Sequence, residues 1–134
     1  LGDVYKRQGI DNRSVAFRIP TSNSHNRRIE HRVSGVDANP YLVALTVVSA
    51  IKKGLTNKIN ADKQTTGNSY LKKSASKIPT DWNSSINLSK KSLFLKETLG
   101  SELHKAFIAI KEMEYNKVAS AVTELDIELY LDSI

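Results

Sequence analysis

The chain has 134 residues, is 40% hydrophobic and 25% charged, carries a formal net charge of +6 and contains no cysteine. That composition belongs to a globular sequence of about one domain's length and excludes a disulfide scaffold or a cysteine-based zinc site. The longest apolar stretch, Leu42 to Ile51, is interrupted by Thr46 and Ser49 and is about half of the roughly 20 residues that a spanning helix needs, so no membrane role is expected. The lack of thiols and of a secretory signal fits a cytoplasmic protein.

In chain order, the first eight residues, Leu1 to Gln8, stand apart. Asp3-Val-Tyr-Lys-Arg-Gln8 looks like the translation of a sequencing-library adapter, and residues 1–8 are therefore set aside as a scar. The alternative is a short strand around Val4 and Tyr5. On the scar reading, and with no initiator Met, residues 9–134 form a truncated part of a larger domain.

Ser14 to Ile19 and Arg27 to Val33 read as two strands, rich in β-branched and aromatic residues and separated by the polar loop Pro20 to Asn26. A period of two puts Arg28, Glu30 and Arg32 on one face of the second strand, with Arg27, Ile29, His31 and Val33 on the other. Asn39-Pro40 opens a helix and Lys52-Lys53-Gly54 closes it, with cations at its negative end. Leu42, Val43, Leu45, Val47, Val48, Ala50 and Ile51 leave that helix little polar surface, so it is expected to be buried on most sides. So apolar a helix is more than this short chain can cover, and it is expected to pack against something outside these residues.

Residues 55–80 read as an extended polar connection, with turns at Thr65 to Ser69 and at Ile78-Pro79. Thr80-Asp81-Trp82 begins the helical part. Ser84 to Gly100 reads as one or two short helices, and Ser101 to about Val122 as an amphipathic helix. Its expected apolar stripe is Leu103, Phe107, Ile110, Met113 or Glu114, and Val118. Thr123-Glu-Leu-Asp126 resembles a capping box that opens a last helical turn. The fold class is α+β: two antiparallel-sheet strands followed by a helical tail. Trp82, Phe107 and Tyr115 are expected to pack in the helical part.

The charge is sorted along the chain. Residues 1–67 hold 11 Lys and Arg against 5 Asp and Glu, whereas residues 68–134 hold 9 of each, and all six arginines lie between Arg7 and Arg32. Arginine suits bidentate contact with carboxylates and phosphates. Arg28 to Arg32 alone could be a solvated strand with cross-neighbour ion pairs, each contributing about 0–1 kcal/mol. With Arg13 and Arg18 on the preceding strand, four guanidiniums and one carboxylate could meet, provided Arg13 sits where the backbone turns. A glutamate among arginines suits a hard cation and nucleotide phosphates. No Gly-rich phosphate loop is present.

Gly9 to Pro20, with Asp11-Asn-Arg13 and Phe17-Arg18-Ile-Pro20, then Arg27-Arg-Ile-Glu30-His-Arg32 and Asp37-Ala-Asn-Pro-Tyr41, form three ordered motifs within 33 residues. Together they resemble the C-terminal part of the glutamine synthetase catalytic domain, in a form more similar to its γ-glutamylpolyamine (putrescine) synthetase-like branch. The similarity extends to Leu125 to Leu131. The resemblance implies an ATP-dependent ligase that joins glutamate to ammonia or a polyamine through γ-glutamyl phosphate, uses Mg²⁺ or Mn²⁺, and works as a homo-oligomer of full-length chains. It implies that Glu30 is a metal ligand and that Arg13 and Arg18 contact ATP phosphates. Arg13 would also lie near the acyl phosphate, Arg32 would hold glutamate or its phosphoryl group, and Arg28 would lie beside the nucleotide.

His25 stands where many relatives carry a nucleotide-contacting lysine and is not assigned to the site. His31 is read as structural. Tyr70 lies near a position that is adenylylated in some relatives, but its surroundings match poorly and no regulation is inferred. The resemblance also leaves the other metal ligands outside these residues, so the fragment alone is expected to be inactive. Two other classes stay open: a basic nucleic-acid-binding module and a catalytically dead paralogue. Against the first, there is no helix-turn-helix pattern and the aromatics do not interleave with the basic residues.

Overall fold

The computed structural model describes residues 7–71 and 78–131. Of the N-terminal segment set aside as a scar, residues 1–6, with the alternative strand at Val4 and Tyr5, lie outside the described residues. The chain divides into two units, residues 1–80 and 81–134.

The first unit contains a three-stranded sheet, β1 (Gln8–Ile10), β2 (Phe17–Ile19) and β3 (Glu30–His31), in that spatial order. β2 and β3 pair antiparallel as expected, but both are shorter than their sequence runs. Residues 14–16 belong instead to the turn that precedes β2, where Val15 and Ala16 are almost fully buried. β1 was not anticipated. It pairs parallel to β2, with Gln8 opposite Phe17 and Ile10 opposite Ile19. Six residues suffice for the return, because a three-residue strand covers only about 10 Å and six extended residues can reach about 20 Å.

A helix, α1 (Pro40–Thr56), follows, with the Asn39 side chain accepting from the N–H groups of Tyr41 and Leu42. It runs past the expected stop at Gly54. Lys58 supplies the left-handed residue after the helix end, at φ 50°, and Ile59 N–H bonds back to the Gly54 carbonyl at 2.9 Å. None of the residues of α1 is buried, and Tyr41 and Leu55 are 83% and 75% exposed, because no described element packs against its apolar faces.

Residues 57–71 are not a loose connection either. They fold back on the β1–β2 turn, with Thr65 and Ser69 buried. Thr65 N–H donates to the Gln8 carbonyl at 2.8 Å and Gln8 Nε2 to the Asp62 carbonyl at 2.7 Å. Gly9 permits this approach: a Cβ on it would lie 2.7 Å from the Thr65 carbonyl oxygen, closer than real side chains come.

The second unit is helical: α2 (Trp82–Lys91), α3 (Leu93–Leu99), α4 (Ser101–Ala119) and α5 (Glu124–Tyr130). Each start has a local cause. Asp81 accepts from Ser84 N–H at 2.7 Å, Ser92 ends α2 and accepts from Leu95 N–H at 3.1 Å, and Gly100, at φ 77°, turns the chain into α4. The capping box at Thr123 and Asp126 forms as read from the sequence.

The stripe expected on α4 is displaced. Leu103, Ile110, Met113 and Val118 are about half exposed or more, and the face turned toward α2 and α3 is centred on His104 and Ile108, against Ile86 of α2. His104 was not counted as a core residue because of its polarity, yet its Nε2 lies 3.0 Å from the Ser89 carbonyl, which satisfies it. Trp82 and Tyr115 meet edge to face at 5.8 Å, as packing residues and not as stacking platforms. Among the described residues no helix is long and apolar enough to cross a membrane.

Candidate functional site

The site begins with strand register. Arg18 stands directly opposite Glu30 in the β2–β3 pair, so their side chains leave the same face of the sheet. Arg18 Nη1 donates to Oε2 of Glu30 at 2.9 Å and to Oε1 at 3.2 Å. Its Nη2 donates to Asp11 Oδ1 at 3.0 Å. Arg28 Nη2 lies 3.6 Å from Glu30 Oε1, an ion pair too long to be a hydrogen bond. One guanidinium is thus shared by two carboxylates, and a second cation flanks the glutamate.

Asp11 was not anticipated as a member of this cluster. It sits at φ 47°, a left-handed position that Asp tolerates better than most residues. Its carboxylate accepts from the Thr21 hydroxyl, from Thr21 N–H at 3.1 Å and from Arg18. These bonds hold its carboxyl below the usual carboxylate range, the Thr21 hydroxyl contributing most, the Thr21 amide next and Arg18 less. Arg18 is held protonated more firmly than an ordinary arginine, chiefly by its hydrogen bond to Glu30 and, to a smaller extent, by Asp11. Its Nε is buried and has no hydrogen-bond partner among the described residues.

Arg13 occupies the β1–β2 turn, as convergence requires. It does not touch Glu30. Instead it lines an open groove of about 890 Å³ between residues 10–14 and 64–70, together with Asp11, Gln64, Thr66, Asn68 and Tyr70. Among the described residues Arg13 forms no hydrogen bond or ion pair. Asp11 belongs to both the groove and the Arg18 cluster, so the two are contiguous.

Under the groove lies Asn12, which sequence reasoning passed over. Its Nδ2 donates to the carbonyls of Thr65 at 3.0 Å and Gly67 at 2.9 Å, while its Oδ1 accepts from Ser14 N–H at 2.9 Å and from the Ser14 hydroxyl at 2.6 Å. Ser14 Oγ in turn accepts from Ser69 N–H at 2.9 Å. The Asn-x-Ser spacing is a recognisable Asx-turn signal, but nothing in the sequence identifies its partners more than fifty residues away.

The remaining expected residues fall elsewhere. Arg32 is exposed beyond the end of β3. Its N–H extends the strand pairing to the Ala16 carbonyl at 2.9 Å, but its side chain joins neither Glu30 nor the groove. His31 lies on the opposite face, its ring 5.3 Å from that of Phe17 and its Nδ1 3.0 Å from Ser34 Oγ, a structural role. His25 is exposed in a short 3₁₀ turn, Ser24–Asn26. Among the described residues no group of three Asp, Glu, His or Cys side chains could hold a metal ion. Glu30 can offer one hard-oxygen ligand, and these residues do not by themselves complete a metal centre.

A family model described as the glutamine synthetase catalytic domain matches residues 3–130. The chain is 33% identical over 123 residues to the γ-glutamylputrescine synthetase PuuA of Escherichia coli (strain K12), covering 92% of this chain and 26% of that protein. It is 35% identical over 130 residues to type-1 glutamine synthetase 2 of Dictyostelium discoideum, covering 94% of this chain and 25% of that protein. It is 29% identical over 138 residues to the glutamine synthetase of Methanosarcina mazei, covering 98% and 31%. The chain therefore spans between a quarter and a third of the length of these relatives.

Proposed function

The chain belongs to the glutamine synthetase catalytic-domain family, and on that premise we propose that it serves as the nucleotide- and acyl-phosphate-facing portion of an ATP-dependent ligase joining glutamate to ammonia or an amine. The observation that carries this is the cross-strand Arg18–Glu30 pair with Arg28 beside it and the Arg13 groove adjoining. A side-chain carboxylate oxygen of glutamate attacks the γ-phosphorus of ATP and ADP leaves. The amine nitrogen then attacks the acyl carbon of γ-glutamyl phosphate, phosphate departs with the bonding electrons, and the nitrogen loses a proton.

In this reading each residue has an electrostatic task. Arg13, held in a turn at the edge of an open groove, meets phosphate oxygens of ATP and lies near the acyl phosphate. Arg18, with two guanidinium nitrogens held on carboxylates, lends its fixed positive charge to the phosphates. Arg28 flanks the nucleotide, and Arg32, solvent-exposed here, is the residue for glutamate or its phosphoryl group. Glu30 gives one carboxylate to Mg²⁺ or Mn²⁺, with the other ligands supplied from outside the described residues. When bound, the metal would supply positive charge that offsets that of the phosphates. The arginines do the same from the protein side, Arg18 from a partly buried position where such contacts count for more than in water.

The exposed apolar side chains of α1 support a setting inside a larger, oligomeric protein. The pairing of Arg18 and Arg28 with carboxylates weighs against reading the positive charge as a nucleic-acid surface. The PuuA relative supports a polyamine acceptor, as the branch resemblance implied. Phosphate release by the full-length protein, measured with ATP and glutamate and with ammonia and putrescine in parallel, tests the proposal. Turnover with putrescine is the expected result. Turnover with ammonia alone overturns the acceptor, and no turnover with any amine overturns the ligase reading.

A further inference from the structure

We propose that Asn12 is a positioning residue for Arg13, acting by fastening residues 65–69 across the turn that carries the guanidinium. The inference rests on the ligase reading above and extends it to Asn12, which also lines the groove but has its carboxamide fully engaged within the protein. All four hydrogen-bonding positions of the Asn12 carboxamide are used. Two donors go to the carbonyls of Thr65 and Gly67, and two acceptances come from the N–H and hydroxyl of Ser14. Ser14 then passes the connection to Ser69 N–H.

This junction joins the two walls of the Arg13 groove. Residues 10–14 form one wall and residues 64–70 the other, and the close approach at Gly9 leaves them no slack. Arg13 lies between Asn12 and Ser14, both anchored, while forming no bond of its own among the described residues. A guanidinium with several rotatable bonds meets a phosphate effectively only if its backbone is fixed, since ordering it on binding costs affinity. The junction supplies that fixity before the ligand arrives. Aspartate at position 12 keeps the shape and the acceptor but loses both donors, and it sets a carboxylate against two carbonyl oxygens.

The decisive measurement is a double-mutant cycle in the full-length protein. Asn12→Asp is expected to raise KM for ATP about tenfold, with less than a twofold change in KM for glutamate. In an Arg13→Ala background the same change is expected to add less than twofold, because its effect passes through Arg13. A merely structural role would lower activity by the same factor in both backgrounds, and that result overturns the inference, as does an unchanged KM for ATP. If Asn12→Asp does not fold, Ser14→Ala removes the relay to Ser69 and is expected to raise KM for ATP about threefold, again only when Arg13 is present. Equal effects in both backgrounds, or none, overturn the inference. Wild-type protein with no ATP- and glutamate-dependent phosphate release overturns the ligase reading instead, which separates the two failures.

Discussion

The two units solve the problem of holding a short chain in opposite ways. In the first, side chains bonded to distant backbone do the fastening: Asn12, Ser14 and Gln8 reach residues 62–69, and Asp11 reaches Thr21 and Arg18. In the second, fastening is local and repetitive. Caps start the helices, and a small apolar seam of Ile86 and Ile108 with His104 holds α2 to α4. The polar unit positions charged groups to within a hydrogen bond but depends on each single partner. The helical unit rests on repeated local contacts instead.

The contrast can be broken most sharply at Glu30. In the full-length protein Glu30→Gln is expected to cut turnover at least 100-fold and to raise the metal concentration needed for half activity, while thermal unfolding changes little; unaltered metal dependence would contradict the assigned role. Next in size, Ile108→Ala should cost about 2–4 kcal/mol, the range for a buried aliphatic truncation. Denaturant titration of the 134-residue chain would show it. The expected companion result is an unchanged KM for ATP in full-length protein, and a raised KM would contradict it.

Ser92→Ala removes a single helix cap and should cost about 1 kcal/mol, read from the same denaturant midpoint. The smallest effect is that of acid. The carboxyls of Asp11, Asp81 and Asp126 are held below their ordinary value of 3.8 by hydrogen bonds to Thr21, Ser84 and Thr123 respectively. Folded-state values below the unfolded ones mean that their contribution is fully present above that pH and fades as pH falls through the folded values. Circular dichroism between pH 5 and 2 should show stability falling only below about pH 4 from these groups. In Asp81→Asn protein the acid loss should be smaller, and an identical acid profile would remove Asp81 from the account.

The same contrast explains how much was legible in the sequence. Helix starts at Asn39, Asp81 and Thr123 and the stop at Gly100 follow from residues adjacent in the chain, so local chemistry sufficed, whereas the sequence leaves the break at Ser92 open between one helix and two. Two adjoining strands were expected, but the register that sets Arg18 opposite Glu30 is a property of the fold that alternation alone does not give. What could not be read was non-local. β1, the bonds from residues 12 and 14 to 65–69, and the participation of Asp11 need contacts across separations that no periodicity records. The α4 stripe failed for a different reason: hydrophobicity favoured Leu103 and Ile110, whereas packing against α2 selected His104 once the Ser89 carbonyl gave its ring a partner. The arginine cluster was only partly as expected, since Arg18 and Arg28 reach Glu30, Arg13 lies in the adjoining groove, and Arg32 stands apart.

The close pass of residue 65 over Gly9 has one more consequence. β1 is an outer strand of the sheet, and an outer strand offers unpaired backbone groups to any other extended chain. Here the Gln8 carbonyl is already taken by Thr65 N–H, and the Gln8 side chain is tied to Asp62. A substitution such as Gly9→Val, or a deletion within residues 60–66, would lift this cover and leave a short apolar edge open to self-association. The groove wall thus also occupies hydrogen-bonding groups along the β1 edge of the sheet.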